Sequence, residues 1–315
     1  MMRAVAVRQF RGVPERMDLP VPTAARGEVL VRVVAAGVNP FDWKIVDGIF
    51  DGKRPHRFPL IVGIDASGVV EGLGAGVARF AVGDRIYGQF LHDPIGDGTY
   101  AEYSTAAEAT GVAKIPSSVD AVLAAAVPTS GMTALDAIET ADLTRGATLL
   151  IVGATGGVGS FATEIAASRG LRVIATARPE DASRMQSLGA EETVDRTRGS
   201  VAESVRASHP DGVDGLLDVA SDGKGFAELA HLVRPGGVAL TTAFVGDPAA
   251  LEGRQVRVVN VDLQPRADLL ERLSAELDAG RLRIPVESKV PLDEAPAAFT
   301  RARSLSGRGK TVIVL

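Results

Sequence analysis

The chain has 315 residues, 46% hydrophobic and 23% charged, with a net charge of −5 and no cysteine. That length exceeds one usual hydrophobic core, so two domains are expected. The missing thiols exclude disulfides, cysteine nucleophiles, Cys-ligated zinc and iron–sulfur clusters, and an acidic balance without a long basic run argues against nucleic-acid or anionic-membrane binding.

Met1–Arg8 alternates like a strand and lacks the apolar stretch of a signal peptide. The longest apolar runs, such as Ala121–Val127, are too short to span a bilayer. A cytoplasmic protein is therefore expected. Residues 1 to about 120 read as short strands broken by Gly, Pro and Asp. Glu28–Val34 alternates strongly, Gly63–Glu71 is a strand candidate, Gly83-Asp84 turns the chain into Arg85–Tyr87, and Gly98–Tyr103 alternates as well. This spacing predicts a compact β-rich, partly barrel-like domain.

The texture changes near Ser117. Ala121–Ala126 and Thr133–Thr140 are helix formers, and Thr148–Val152 is an apolar β-branched run that ends in glycines. A helical pattern opens at Ser160 and runs to about Arg169. Further strands are expected at Arg172–Thr176, Glu192–Asp195, Gly215–Val219, Gly237–Thr242 and Val256–Val261, with helices over Asp181–Leu188, Ser200–Ser208 and Phe226–Val233. Strand–helix alternation of this kind predicts an α/β fold with a doubly wound parallel sheet. Arg266–Ala279 is an amphipathic helix ending at Gly280. From Arg281 the texture is β-like again and closes on Lys310–Leu315, a strand expected to return to the first domain. The expected division is residues 1–120 with 281–315, and 121–280.

The segment Gly153-Ala154-Thr155-Gly156-Gly157-Val158-Gly159 lies between a strand and a helix, with a second strand following. Glycines so placed bring backbone N–H groups and a helix N-terminus against a pyrophosphate. An acid at the end of the second strand would bind the ribose of NAD, but the chain reads Thr176-Ala177-Arg178 there. Arg178 can instead pair with a 2′-phosphate, which favours NADPH. The four histidines, His56, His92, His209 and His231, lack metal-ligand spacing, so no metal is expected. Asn39, preceding Pro40, must be extended, and a turn there aims Asn39 and Lys44 into a cleft; a solvated Lys44 and a core Trp43 are the plain alternatives. Any phenolic proton donor is Tyr87, Tyr100 or Tyr103, because no other tyrosine exists.

Five segments occur in order: Asn39-Pro-Phe-Asp-Trp-Lys44, Gly63-Ile-Asp-Ala-Ser-Gly68, Gly83-Asp-Arg-Ile-Tyr-Gly88, Gly98-Thr-Tyr-Ala-Glu-Tyr103 and the glycine turn. Together with Val127–Ala134, Leu232–Gly237 and the closing Gly309–Val314, they resemble the zinc-independent quinone oxidoreductase (zeta-crystallin-like) branch of the medium-chain dehydrogenase/reductases. The resemblance implies a GroES-like substrate domain beside a Rossmann domain, with the cofactor in the cleft between them. It implies NADPH-dependent reduction of quinones or of C=C bonds conjugated to a carbonyl. It implies homodimers joined through Rossmann edge strands, here Val238–Thr242 and Val256–Val261. Where the zinc-dependent branch has Gly-His-Glu, this chain reads Gly63-Ile64-Asp65. Phe50 stands where several quinone reductases carry a tyrosine, and Lys44 matches an Asp-Trp-Lys variant of enone reductases.

On that resemblance, Lys44, or a water near Asn39, stabilises or protonates the substrate oxygen. Thr129 and Thr133 contact the nicotinamide half, the turn from Gly153 to Gly159 holds the pyrophosphate, and Thr176, Arg178, Ala243, Phe244 and Lys310 complete the cofactor set. Phe41, Phe50, Tyr87 and Phe90 form an apolar wall. The alternatives are an enoyl-thioester reductase using the basic run from Lys53 to Arg57, and an NADPH-binding protein without turnover.

Overall fold

The structure, a computed structural model, describes residues 1–304 and 307–315. The chain divides into two compact units, Met1–Met132 with Pro265–Leu315, and Thr133–Gln264.

The first unit opens with β1 (Met2–Val7), β2 (Glu15–Leu19) and β3 (Glu28–Gly37), followed by the short helix α1 (Pro40–Val46). Next come β4 (Leu60–Ile61), β5 (Asp65–Leu73), β6 (Arg85–Gln89), β7 (Tyr103–Ala107) and β8 (Val112–Lys114). The helices α2 (Ala121–Ala124) and α3 (Pro128–Ala141) end this stretch. In the second unit strands and helices alternate: β9 (Thr148–Val152), α4 (Gly157–Ser168), β10 (Arg172–Ala177), α5 (Ala182–Ser187), β11 (Glu192–Asp195) and α6 (Val201–Ser208). It continues with β12 (Val213–Asp218), α7 (Gly223–Ala230), β13 (Val233–Thr241), α8 (Pro248–Leu251) and β14 (Arg257–Asn260). The chain returns to the first unit with α9 (Ala267–Asp278), β15 (Val286–Pro291), α10 (Ala295–Ala302) and β16 (Lys310–Val314).

The second unit is a parallel six-stranded sheet in the order β11-β10-β9-β12-β13-β14. This is the doubly wound arrangement, with the topological switch between β9 and β12. Helices on both faces explain why its central strands are near-continuous apolar runs: Leu149, Leu150, Ile151, Leu216 and Leu217 are all fully buried. The first unit is β-rich, with the seven-stranded path β15-β16-β3-β5-β6-β8 plus β7 on β3, and a small sheet β2-β1-β4. Alternation there marks one buried face, as in β3, where Val29, Val31 and Val33 point into the core and Arg32 outward. The closing strand β16 pairs antiparallel with the end of β3, Val312 opposite Gly37. This pairing sets Lys310 beside the segment that begins α1.

Four expectations shift. α4 starts at Gly157 rather than Ser160, because Gly156 takes the extended N-cap conformation inside the glycine run. Gly98–Glu102 is not a strand; Tyr100 is held as a single crossing, its N–H on Val62 O and its carbonyl on Val5 N–H, and β7 begins only at Tyr103. Of the two strands expected at the sheet edge, β14 lies there, whereas β13 is flanked by β12 and β14. Both domain breaks move: the first falls after Met132 rather than 120, and the second before α9 rather than at 281, where the Leu270 carbonyl and Ser274 hydroxyl of α9 bind the Tyr87 phenol.

Candidate active site

In the second unit the carboxyl ends of the parallel strands gather the groups singled out by the sequence, the usual ligand position in such sheets. Gly153 ends β9 at φ +80, and a Cβ there would meet Val219 and Ala220 side-chain carbons at 2.8 and 2.9 Å. Only glycine fits both the conformation and the space. A Cβ on Gly159 would lie 2.3 Å from the Gly153 carbonyl oxygen, so the turn and α4 pack backbone to backbone. At Gly156 the nearest atom is 3.5 Å away. Its face is open, and this is where a pyrophosphate has room to approach the N-terminus of α4, which also carries Gly157 and Val158. The turn is braced from outside. Thr176, buried in β10, accepts the Gly153 N–H at 3.0 Å. Arg184 on α5 donates to Thr155 O at 2.9 Å and to Ser160 Oγ at 3.3 Å. Ala154 is fully buried beneath the turn.

Beyond β10 an open cavity of about 230 Å³ is lined by Ala177, Arg178, Pro179, Ala182, Thr193, Asp195 and Arg198. Arg178 lies 3.9 Å from Glu180, and Arg198 3.3 Å from Asp195. Asp195 enters from the end of β11, so an acid does reach this place, from the neighbouring strand rather than from β10. Hydrogen bonds from the Thr197 hydroxyl and N–H hold its carboxyl below the usual range, and its Oδ2 accepts no hydrogen bond. At the end of β13, Thr241 Oγ1 accepts the Ala243 N–H. Phe244 is 59% exposed with φ +59, a left-handed conformation that a bulky residue rarely adopts.

The first unit holds a buried ionic network that draws together four distant segments. Asn39 caps α1, and its N–H donates to Asp42 Oδ2 at 2.7 Å, a reciprocal start that satisfies an orphan helix donor. Tyr100 donates to the same oxygen at 2.8 Å. Lys310 Nζ donates to Val38 O at 2.7 Å and to Asn39 Oδ1, and lies 4.0 Å from Asp65 Oδ2. Asp65 accepts the Thr129 hydroxyl at 2.6 Å and the Thr129 N–H, in the first turn of α3, at 3.0 Å. Gln89 Nε2 donates to Thr129 Oγ1. Burial pushes Asp42 up to about 7 and raises Asp65, against the pull of Lys310. Burial likewise lowers Lys310 and, with Asp42 beside it, drives Tyr100 well up.

The structure thus brings Asn39, Thr129 and Lys310 together on Asp65, and adds Asp42, Gln89 and Tyr100, which the sequence did not assign. Asn39 is 1% exposed and Lys310 3% exposed, so the Lys310 ammonium is engaged inside the first unit rather than presented to a cofactor. Lys44, also on α1, is half-buried with Nζ 5.8 Å from the Trp43 ring centroid. Thr133 lies one turn beyond Thr129 on α3. The expected apolar wall separates. Phe41 and Phe50 meet edge to face at 5.8 Å, whereas Tyr87 and Phe90 are fully buried. In the basic run, Arg57 pairs with Asp97, and Arg54 lies 3.7 Å from Asp93. Among the described residues no group of three His, Cys, Asp or Glu could hold a metal ion.

The family model described as "Alcohol dehydrogenase GroES-like domain" matches residues 25–117, and that described as "Zinc-binding dehydrogenase" matches 188–313. The chain is 30% identical to the chloroplast envelope quinone oxidoreductase homolog of Arabidopsis thaliana, over 95% of this chain and 93% of that protein. The chain belongs to the quinone oxidoreductase (zeta-crystallin-like) branch of the medium-chain dehydrogenase/reductases. The human quinone oxidoreductase is also 30% identical, covering 100% of this chain and 98% of its own length. The solved quinone oxidoreductase of Coxiella burnetii superposes with a TM-score of 0.90 at 26% identity, over 100% of this chain and 99% of that one. This medium-chain oxidoreductase accordingly calls for a nicotinamide cofactor. The open face of Gly156, between the tightly packed Gly153 and Gly159, fits one.

Proposed function

We propose that the chain reduces a quinone or an α,β-unsaturated carbonyl compound, with NADPH as reductant. The observation that carries this reading is the braced glycine turn at the carboxyl end of β9, with Arg178 and Arg198 around the cavity beyond β10. The N–H groups of Thr155 to Gly159 would hold the pyrophosphate, and Arg178 would pair with the 2′-phosphate as a charge-assisted fork. Bound NADPH supplies a hydride equivalent. Lys44 places a positive charge where the substrate oxygen becomes anionic, and donors aimed at developing charge are usually the largest catalytic contribution. Asn39 acts through the capped start of α1, on which Phe41 and Lys44 sit. Two copies pair through the open edge of β14, and the protein works in the cytoplasm.

One observation favours NADH instead. Asp195 lines the same cavity with a carboxylate paired to Arg198, the kind of acid that a ribose 2′-hydroxyl needs. A screen of NADPH and NADH oxidation with quinones, enones and enoyl thioesters decides between these readings. Turnover with NADPH and a quinone or enone is expected. An NADH-preferring enzyme refutes the 2′-phosphate assignment, and binding without turnover on the whole panel refutes the catalytic one. The neutralised arginines of the basic run speak against a thioester carrier's phosphate docking there.

A further inference from the structure

Within the network around Asp65, six residues are buried and one reaches the surface. Asn39, Asp42, Asp65, Gln89, Tyr100 and Lys310 are each no more than 4% exposed, whereas Thr129 is partly exposed. A threonine hydroxyl has one proton and two lone pairs. Gln89 Nε2 uses one lone pair of Thr129 Oγ1, and the 2.6 Å contact with Asp65 Oδ1 uses one more position. With Asp65 ionised, the Thr129 proton lies on Asp65 Oδ1. With Asp65 protonated, the 2.6 Å contact reverses, Asp65 donates to Thr129 Oγ1, and the Thr129 proton is left for a ligand. Asp65 has the environment of a proton store: it is completely buried, and Lys310 stands 4.0 Å away to balance the carboxylate when the proton has left.

We propose that Thr129 and Asp65 form the proton relay of the reduction, with Thr129 as the group that touches the product and Asp65 as the buried acid behind it. The inference rests on the reductase reading given above. When the substrate has accepted a hydride from the reduced nicotinamide, its oxygen is anionic. The Thr129 O–H bond breaks and its proton goes to that oxygen. In the same step the carboxyl proton of Asp65 passes to Thr129 Oγ1, so no free alkoxide forms. Asp65 is left as a carboxylate opposite the Lys310 ammonium. After the product leaves, a solvent proton returns through Thr129, the exposed end of the chain. One proton is consumed per hydride, and Lys44 remains an electrostatic partner of the oxygen rather than its proton source.

The role differs from a structural tie between β5 and α3, because a tie needs only the Thr129 N–H bond to Asp65, which a valine retains. The charged and titratable groups facing Asp65 are Lys310, Asp42 and Tyr100, and all stay in place in a Thr129 variant. Burial raises Asp65, so the loaded form is lost, and kcat falls, as pH rises through its titration.

The test compares wild type, Thr129→Val and Thr129→Ser. With saturating NADPH and a quinone, Thr129→Val should lower kcat about 100-fold, in the range of a lost general acid. KM for NADPH should stay unchanged, the solvent deuterium isotope effect should increase, and Thr129→Ser should restore the rate. Carbon-13 NMR of the Asp65 carboxyl in cofactor-free protein gives a readout without turnover. Its midpoint should move up in Thr129→Val, which removes a donor to the carboxylate, and return in Thr129→Ser. An unchanged kcat, a loss confined to the KM of NADPH, or an Asp65 titration indifferent to the valine each overturns the relay. A wild-type chain that oxidises no NADPH with the whole panel overturns the reductase reading and the relay together; an active wild type with an equally active Thr129→Val overturns the relay alone.

Discussion

Replacing Asp42 by asparagine tests whether the buried network carries an electrostatic cost that depends on pH. Asp42 Oδ2 accepts from Asn39 N–H at 2.7 Å and from Tyr100 O–H at 2.8 Å, while Oδ1 is buried without a partner. Burial, the largest cause, carries the carboxyl from 3.8 to about 7. At about 1.4 kcal/mol per pH unit, that rise corresponds to about 4 kcal/mol. The folded carboxyl holds its proton more tightly than the unfolded one. The stability it contributes is therefore fully present below about pH 4 and is lost as the pH climbs to about 7. The side-chain amide introduced by Asp42→Asn would keep an acceptor oxygen for both donors and carry no charge at any pH. The variant should match wild type near pH 4 and exceed it near pH 8 by about 2–4 kcal/mol, or ~4–16 °C in Tm for a unit of this size. Thermal unfolding of both proteins across that pH range, followed by circular dichroism, measures the difference directly. Wild-type and variant Tm curves that run parallel from pH 4 to 8 would refute the reasoning.

Gly159→Ala places a methyl 2.3 Å from Gly153 O and 2.5 Å from Ala154 Cα, both backbone atoms that cannot rotate away. A loss of about 1–3 kcal/mol in unfolding free energy is expected, together with weaker NADPH binding in calorimetric titration. Lys310→Met leaves Asp65 buried without its cation and, above the raised titration of Asp65, should cost about 3–5 kcal/mol; urea denaturation should find the deficit smaller below that titration, where Asp65 holds its proton. Arg178→Ala should weaken NADPH about 10–100-fold, the worth of a hydrogen bond to a charged group, and leave NADH unchanged. Lys44→Ala should slow enone reduction with NADPH still bound, and an unchanged rate removes Lys44 from the mechanism.

Much of the second unit was legible because its physics is local. Buried parallel strands must be apolar on both faces, so Thr148–Val152 announces itself, and the glycines after it are dictated by atoms within a few residues. The start of α4 was misplaced because glycine is a poor helix former, and propensity alone delays the helix until Ser160. The N-terminal packing of Gly159 against Gly153 overrides that preference. Gly98–Glu102 misled for the opposite reason. Its alternation is real, but Tyr100 points inward to reach Asp42 and not to build a sheet face.

The site was legible as residue types and not as partners. Asn39, Thr129 and Lys310 could be named from their segments, yet Asn39 and Lys310 meet across 271 positions of sequence. No periodicity reports such a contact. The pairing of β16 with β3 creates it, and that register follows only from the folded sheet. Asp65 entered the sequence reading as the residue standing where zinc-dependent relatives carry a different acid. Its folded surroundings give it another character, a fully buried carboxyl with a lysine on one side and a partly exposed threonine on the other. Asp195 is the same lesson in the second unit. The end of β10 has no acid of its own, and the neighbouring strand supplies one to the same cavity, so cofactor preference turns on which of Arg178 and Asp195 the ribose meets. A 2′-phosphate must displace Glu180 from Arg178 and tolerate Asp195, whereas a 2′-hydroxyl must share the Asp195 carboxylate with Arg198. Measured affinities for the two cofactors in Asp195→Asn would therefore separate them. NADPH binding should tighten when the repelling carboxylate is removed, and a loss of NADPH affinity would mean that Asp195 is a ligand rather than a bystander.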